Sequence, residues 1–248
     1  MTANAVRWCV LIPCLNEEEA IQSVAESVLA LGASIIAIDD GSDDRTPDIL
    51  ASLPVTLLRH AQRRGKGEAL RHGFREALRQ GYDAVLTMDG DGQHQADDIP
   101  RIVATAARYP DHIVIGARLL DRAQQPTSRR RANAVADWGI SWACAQPVVD
   151  TQSGQRWYPR VAVELVDLPA EHFVFEAAIL IAASREKKLG VIAVPIATRY
   201  HANFRRSHFS PVRDVTRITT YTIGRVVHYG SLLASYHRSR EKPLIVEG

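Results

Sequence analysis

Short apolar runs alternate with amphipathic stretches through the first half of the chain. Residues 6–13, 34–38, 55–59, 84–88 and 113–117 read as strands, being short and almost continuously apolar. Helical spacing fills 17–31, 68–80 and 98–109. Ile21, Val24, Val28 and Leu31 share one face, as do Leu70, Phe74 and Leu78. Asn16 is placed to cap the first helix, and Gly81 to stop the one at 68–80. A short helix after the second strand carries Pro47 in its first turn. Strands this apolar belong in a sheet covered on both faces. Their alternation with helices predicts a mostly parallel α/β sheet with crossover helices.

Beyond residue 117 the pattern loosens. Residues 118–131 are polar, basic and loop-like. Helices are predicted over 132–145 and 173–188, a turn over 150–154, a strand over 191–195 and one long helix over 211–236. In that last segment Val212, Val215, Ile218, Thr222, Val226, Tyr229, Leu233 and Tyr236 recur at three- and four-residue spacing. Arg213, Arg217, Arg225 and His228 lie between them, and no acid occurs between Asp214 and Glu241. Such a basic amphipathic helix docks on its own domain, docks on a membrane partner protein, or lies on an anionic membrane surface. With no repeat and no low-complexity linker, the expected organisation is one α/β domain over 1–210 and an amphipathic helix with tail over 211–248.

A chain of 248 residues with 46% hydrophobic content can bury a sizeable core. Its formal charge of +2 demands no nucleic-acid partner. Cys9, Cys14 and Cys144 are odd in number and irregularly spaced, which predicts reduced thiols in the cytosol and no zinc site. Residues 1–5 lack the basic start and apolar core of a signal peptide. No apolar run reaches the ~18 residues of a membrane span. The expected location is cytoplasmic, with any peripheral contact at the inner face of a membrane.

Candidate chemistry gathers at three strand ends: Pro13-Cys14-Leu15-Asn16-Glu17, Asp39-Asp40-Gly41-Ser42, and Asp89-Gly90-Asp91-Gly92-Gln93-His94. The C-terminal edge of a parallel sheet is where open α/β folds bind ligands. In extended chain, Asp89 and Asp91 point the same way, about 6–7 Å apart. Two converging carboxylates repel unless a proton or cation sits between them. Oxygen ligands of this kind suit Mg2+ or Mn2+. Taken singly, each acidic turn also fits ordinary helix capping. The first strand is not followed by GxGxxG, and Arg64-Gly65-Lys66-Gly67 lacks the spacing and the Ser/Thr of a P-loop.

These segments, with Arg64-Gly65-Lys66-Gly67-Glu68-Ala69, Ile115-Gly116-Ala117-Arg118, Asp150-Thr151-Gln152-Ser153-Gly154 and Val194-Pro195-Ile196, resemble the family 2 glycosyltransferases of the GT-A fold. The nearest branch contains dolichyl-phosphate mannose synthase and other polyprenyl-phosphate glycosyltransferases. The resemblance implies inverting, metal-dependent transfer from a UDP- or GDP-sugar. It assigns the base and ribose to Pro13, Leu15, Glu17 and Asp39, with Asn16 and Asp40 alongside. It places Lys66 at a basic glycine-rich turn beside the donor. Asp89, Gly90 and Asp91 then face the ribose and diphosphate, and Asp89, Asp91 and Gln93 are the metal ligands.

The same resemblance points to a lipid-phosphate acceptor held by Arg118, Arg131, Arg205 and Arg206. One departure leaves a hydroxyl acceptor open: Ser207-His208 stands where lipid-phosphate enzymes commonly show Ser-Lys. A hydroxyl needs a base; Glu176 is the first candidate by position and Asp150 the second, with Asp91 at the departing diphosphate. A non-catalytic nucleotide-binding subunit is the remaining alternative.

Overall fold

The computed structural model describes residues 6–121, 127–170, 174–198 and 211–247. Eight strands form one sheet in the order β3-β2-β1-β4-β6-β5-β7-β8. They are β1 (Trp8–Cys14), β2 (Ser34–Asp39), β3 (Thr56–Arg59), β4 (Ala84–Thr87), β5 (His112–Ala117), β6 (Arg156–Pro159), β7 (Gly190–Pro195) and β8 (Leu244–Ile245). The pairs β1–β2, β2–β3, β1–β4, β5–β7 and β7–β8 are parallel.

The helices are α1 (Ile21–Ala30), α2 (Thr46–Ala51), α3 (Lys66–Arg79), α4 (Ile99–Arg108), α5 (Thr127–Cys144), α6 (Arg160–Val163), α7 (Val174–Glu186), α8 (Pro211–Tyr229) and α9 (Leu232–Ser239). Side chains of β1 alternate between two cores. Cys9 and Leu11 pack with α3 and α7, while Val10 and Ile12 pack with α1 and α4. This two-sided burial is why the strands read as continuous apolar runs.

Four expectations are corrected. The first helix starts at Ile21 and has no side-chain cap. Asn16 instead takes a left-handed conformation (φ 57°), and its Oδ1 accepts the Asp43 N–H across the gap to the next strand's loop. Residues 127–131, expected as loop, form the first turns of α5.

The segment after the 150–154 turn is a strand, β6, which sequence periodicity missed because it is only four residues long. It inserts antiparallel between β4 and β5. The single long helix over 211–236 breaks at Gly230 and Ser231, both at positive φ (64° and 49°), into α8 and α9. Its Ile218, Thr222 and Val226 are buried, with α8 packed on α5 and α7. Among the described residues, no helix is long and apolar enough to cross a membrane.

Candidate active site

The strand order places the ends of β2, β1 and β4 side by side. Pro13 and Cys14 lie in register with Ile38 and Asp39. The loops that follow are bound to each other: Asn16 N–H donates to Ser42 Oγ (2.8 Å) and Glu17 N–H to Thr46 Oγ1 (2.8 Å). Pro13, Leu15, Asn16, Glu17 and Asp39 therefore share one edge. Asp39 is fully buried. Its Oδ1 accepts the Ser42 N–H (3.0 Å), and the Arg59 Nε lies 3.0 Å from Oδ2. That approach lacks hydrogen-bond geometry, so Asp39 Oδ2 keeps an unused acceptor.

Asp40 is committed to structure. It accepts the backbone N–H groups of Arg64 (2.8 Å) and Gly65 (2.7 Å) and pairs with His60 Nδ1 (2.8 Å). His60 Nε2 in turn meets His72 Nδ1 at 3.1 Å, the rings stacked. Asp40 thus holds the turn that delivers Lys66, the first residue of α3.

Lys66 Nζ lies 2.7 Å from Asp89 Oδ1 and 3.4 Å from Glu176 Oε2. Burial works against its charge, but Asp89 and Glu176 outweigh that and hold its pKa above the ordinary lysine value. Burial likewise opposes ionisation of Asp89, and Lys66 overcomes it, leaving this carboxyl below its ordinary value. Asp91 goes the other way: burial first, then the Asp89 charge, push it up. Its two oxygens accept the Gln93 backbone N–H (3.0 Å) and the Gln93 side-chain amide (2.7 Å). His94 is buried close behind, its Nδ1 without a partner. Burial, against the pull of Asp89, drives its pKa down to about 4.

Gly90 faces Cys14 and Ile21, and a Cβ there would sit tightly, 3.2 Å from a side-chain carbon of each. Gly154 packs on the Asp89 carboxylate so closely that any Cβ there would collide with it. Strand β6 holds Gly154 in that place. Thr87 Oγ1 donates to the Gly154 carbonyl (2.8 Å), and Ser153 Oγ to the Gly116 carbonyl (2.6 Å). Arg156, buried at 1% side-chain exposure, donates to the Ser153 carbonyl (2.7 Å) and the Thr151 carbonyl (2.6 Å) and lies 4.0 Å from Glu176.

On the far side of this turn Arg118 grips Asp150. Its backbone N–H (2.7 Å), Nε (2.9 Å) and one terminal nitrogen (2.7 Å) all donate to that carboxylate. Burial would raise the Asp150 pKa, but Arg118 holds it below the ordinary range. Asp150 sits at φ 52°, and its N–H donates to Asp137 of α5 (3.1 Å). Asp137 also accepts the Thr151 N–H (2.8 Å) and hydroxyl (2.7 Å).

The structure therefore gathers Lys66, Asp89 and Glu176 in one contact chain, places Asp91 and Gln93 in the same turn, and sets the Arg118–Asp150 pair beside it. Arg131 is exposed on α5. Arg205, Arg206, Ser207 and His208 lie outside the described residues. Sequence reasoning missed the roles of Arg156, His94 and Asp137. An aspartate set between Ala136 and Trp138 was the available signal for Asp137; nothing local marked Arg156 or the unpartnered His94 nitrogen.

The family model described as "Glycosyl transferase family 2" matches residues 9–163, from β1 through α6. The chain belongs to glycosyltransferase family 2. The UDP-N-acetylglucosamine–dolichyl-phosphate N-acetylglucosaminyltransferase of Methanococcus voltae is 28% identical over 214 residues, covering 77% of this chain and 85% of its own. The undecaprenyl-phosphate 4-deoxy-4-formamido-L-arabinose transferase of Photorhabdus laumondii is 30% identical over 167 residues, 62% of this chain and 50% of its own.

These family members are polyprenyl-phosphate glycosyltransferases, the branch the motifs resemble. Among solved structures, glucosyl-3-phosphoglycerate synthase from Mycobacterium tuberculosis, in complex with Mn2+, UDP and glucosyl-3-phosphoglycerate, shares the fold. Its TM-score is 0.64 at 23% identity, covering 90% of this chain and 79% of that one. The protein is a family 2 glycosyltransferase with the GT-A fold.

Proposed function

We propose that this enzyme transfers a sugar, with inversion, from a UDP- or GDP-sugar to a polyprenyl phosphate. The observation that carries the acceptor class is the state of the two carboxylates suited to act as bases. Asp150 is bound bidentately by Arg118, and Glu176 is engaged by Lys66 and lies within reach of Arg156. A carboxylate committed to a cation is a poor proton acceptor. A hydroxyl acceptor needs such a base; a phosphate monoester is already anionic at neutral pH and does not. The activities by which the Methanococcus and Photorhabdus relatives are named, both on polyprenyl phosphates, support the same class.

The donor half is built as follows. The unused Asp39 Oδ2 accepts a base or ribose donor group, and Pro13, Leu15, Asn16 and Glu17 border it. The residues present fit a divalent cation. Burial, and after it the nearby Asp89 charge, disfavour the ionised form of Asp91, and a bound cation would favour it. Among the described residues no group of three or more His, Cys, Asp or Glu could hold a metal. One or two carboxylates plus substrate phosphates is the usual provision for Mg2+. Asp91, the Gln93 carbonyl and the Asp89 oxygen turned from Lys66 would hold it. When bound, Mg2+ or Mn2+ neutralises charge on the departing diphosphate. Arg118, its fork set by Asp150, orients the acceptor phosphate, and Lys66 keeps Asp89 ionised beside the donor.

The test is titration calorimetry with UDP- and GDP-sugars, with and without Mn2+, on the parent protein and Asp91→Ala, followed by turnover on a polyprenyl phosphate. Metal-dependent uptake that Asp91→Ala abolishes, with release of a nucleoside diphosphate only when the lipid phosphate is present, is the expected result. Equal uptake in chelator, or turnover only on hydroxyl acceptors, overturns the corresponding half.

A further inference from the structure

Asp137 lies inside α5 and spends both carboxylate oxygens on two consecutive residues of a distant turn. Oδ2 accepts the Asp150 N–H (3.1 Å), and Oδ1 accepts the Thr151 N–H (2.8 Å) and the Thr151 hydroxyl (2.7 Å). Successive backbone N–H groups of a turn make a small anion-binding concavity, and here a side chain of α5 fills it. The turn needs such a hold. Asp150 stands at φ 52°, a left-handed conformation that L-residues take only at a cost. Arg156 grips the carbonyl side of the same turn, donating from Nη2 to Thr151 (2.6 Å) and from Nε to Ser153 (2.7 Å). The turn is thus clamped between a carboxylate that takes its N–H groups and a guanidinium that takes its carbonyls.

The two ends of the turn serve different groups. At one end the Asp150 carboxylate accepts three bonds from Arg118, through its backbone N–H, Nε and Nη2. At the other end Gly154 lies against the Asp89 carboxylate. The anchors divide in the same way. Asp137 holds the Asp150 end, while the Thr87 hydroxyl and the Arg156–Ser153 bond hold the Gly154 end. Removing Asp137 therefore loosens the backing of Arg118 and leaves the seat of Asp89 in place.

We propose that Asp137 is a positioning residue for the acceptor: by holding Asp150 in its left-handed conformation, it aims Arg118 at the acceptor phosphate. This rests on the reading that Arg118 binds a polyprenyl phosphate. The residue acts through Asp150 and Arg118 and touches no substrate itself.

The experiment compares the full-chain parent, Asp137→Ala, Asp137→Asn, Arg118→Gln and the double variant Asp137→Ala/Arg118→Gln. Farnesyl phosphate is the acceptor, and the donor is whichever UDP- or GDP-sugar the parent takes up in calorimetry. Alanine is a better helix former than aspartate, so the substitution removes the hold without weakening α5. Asp137→Ala should raise the KM for farnesyl phosphate about tenfold, with kcat within about twofold of the parent. Donor affinity should not change. Asparagine keeps an oxygen for Thr151 but sets an NH2 group against the Asp150 N–H, so Asp137→Asn should fall between, with a rise of about threefold. In the double variant the KM should equal that of Arg118→Gln alone, because Asp137 acts through Arg118. Circular dichroism melts check the fold, and Asp137→Asn carries the test if Asp137→Ala melts below the assay temperature.

An unchanged KM for farnesyl phosphate in the Asp137 variants overturns the proposal. So does a KM that rises further in the double variant than in Arg118→Gln, or a joint loss of donor and acceptor affinity, which general loosening around α5 would give. Failure of the acceptor reading looks different: the parent would transfer no sugar to farnesyl phosphate, or Arg118→Gln would leave its KM unchanged, and the proposal would fall with it.

Discussion

Arg118 and Asp150 form a fork-on-fork pair, Nε at 2.9 Å and a terminal nitrogen at 2.7 Å from the two carboxylate oxygens, closed by the Arg118 backbone N–H on the same group. The pair fixes the plane of the guanidinium. Asp150→Asn keeps the shape but removes half of the acceptors. The KM for a lipid-phosphate acceptor should rise about tenfold while kcat changes little. A fall in kcat of a hundredfold or more, with loss of the basic limb of the pH profile, would instead identify Asp150 as a proton acceptor. Steady-state kinetics across pH separates the two.

Lys66 stands between Asp89 and Glu176. Removing it in Lys66→Met leaves two carboxylates facing each other without a counter-charge. For a fully buried pair that costs ~3–5 kcal/mol. Side-chain exposures of 22% for Lys66 and 27% for Asp89 reduce it, and a loss of about 2 kcal/mol is expected. Adding Asp89→Asn should restore part of the loss, because the repulsion goes with the charge. Urea denaturation of the four members of this cycle gives the coupling directly.

His94 predicts a specific acid sensitivity. Its pKa is about 4 in the folded protein against an ordinary value of 6.5. Between those values the unfolded chain binds the proton and the folded one does not, so stability rises with pH across this window and is lost as pH falls. The full effect is about 3 kcal/mol, from the size of the shift. Chelator-treated protein unfolded in urea at pH 7 and pH 4.5 should show this slope, and His94→Gln should flatten it.

Gly154→Ala tests the seat of Asp89. The added methyl would occupy the space of that carboxylate, with the turn pinned by Thr87, Ser153 and Arg156. Displacement of Asp89 from Lys66 should cut turnover by about a hundredfold or more, with far-ultraviolet circular dichroism unchanged. Near-normal turnover would mean that Asp89 can move without consequence.

The acidic sheet edge was legible because its parts are local. An apolar strand, a glycine and an acid in sequence declare a strand end, and parallel order then sets β1, β2 and β4 side by side. The left-handed Asn16 was misread as a helix cap because its partner, the Asp43 N–H, lies 27 residues away. Arg156 and Asp137 escaped for the same reason: their hydrogen bonds run to backbone atoms of a turn whose position depends on a four-residue antiparallel strand.

By itself, then, the sequence determined the alternating strands and helices, the family, and which side chains carry charge at the sheet edge, since periodicity and turn chemistry are properties of neighbours along the chain. Only the tertiary structure decided how those charges pair: Lys66 with Asp89 and Glu176, Arg118 with Asp150, and His94 left buried and neutral. Pairing is set by distances across strands and by burial, and both arise only when segments remote in sequence close on one another.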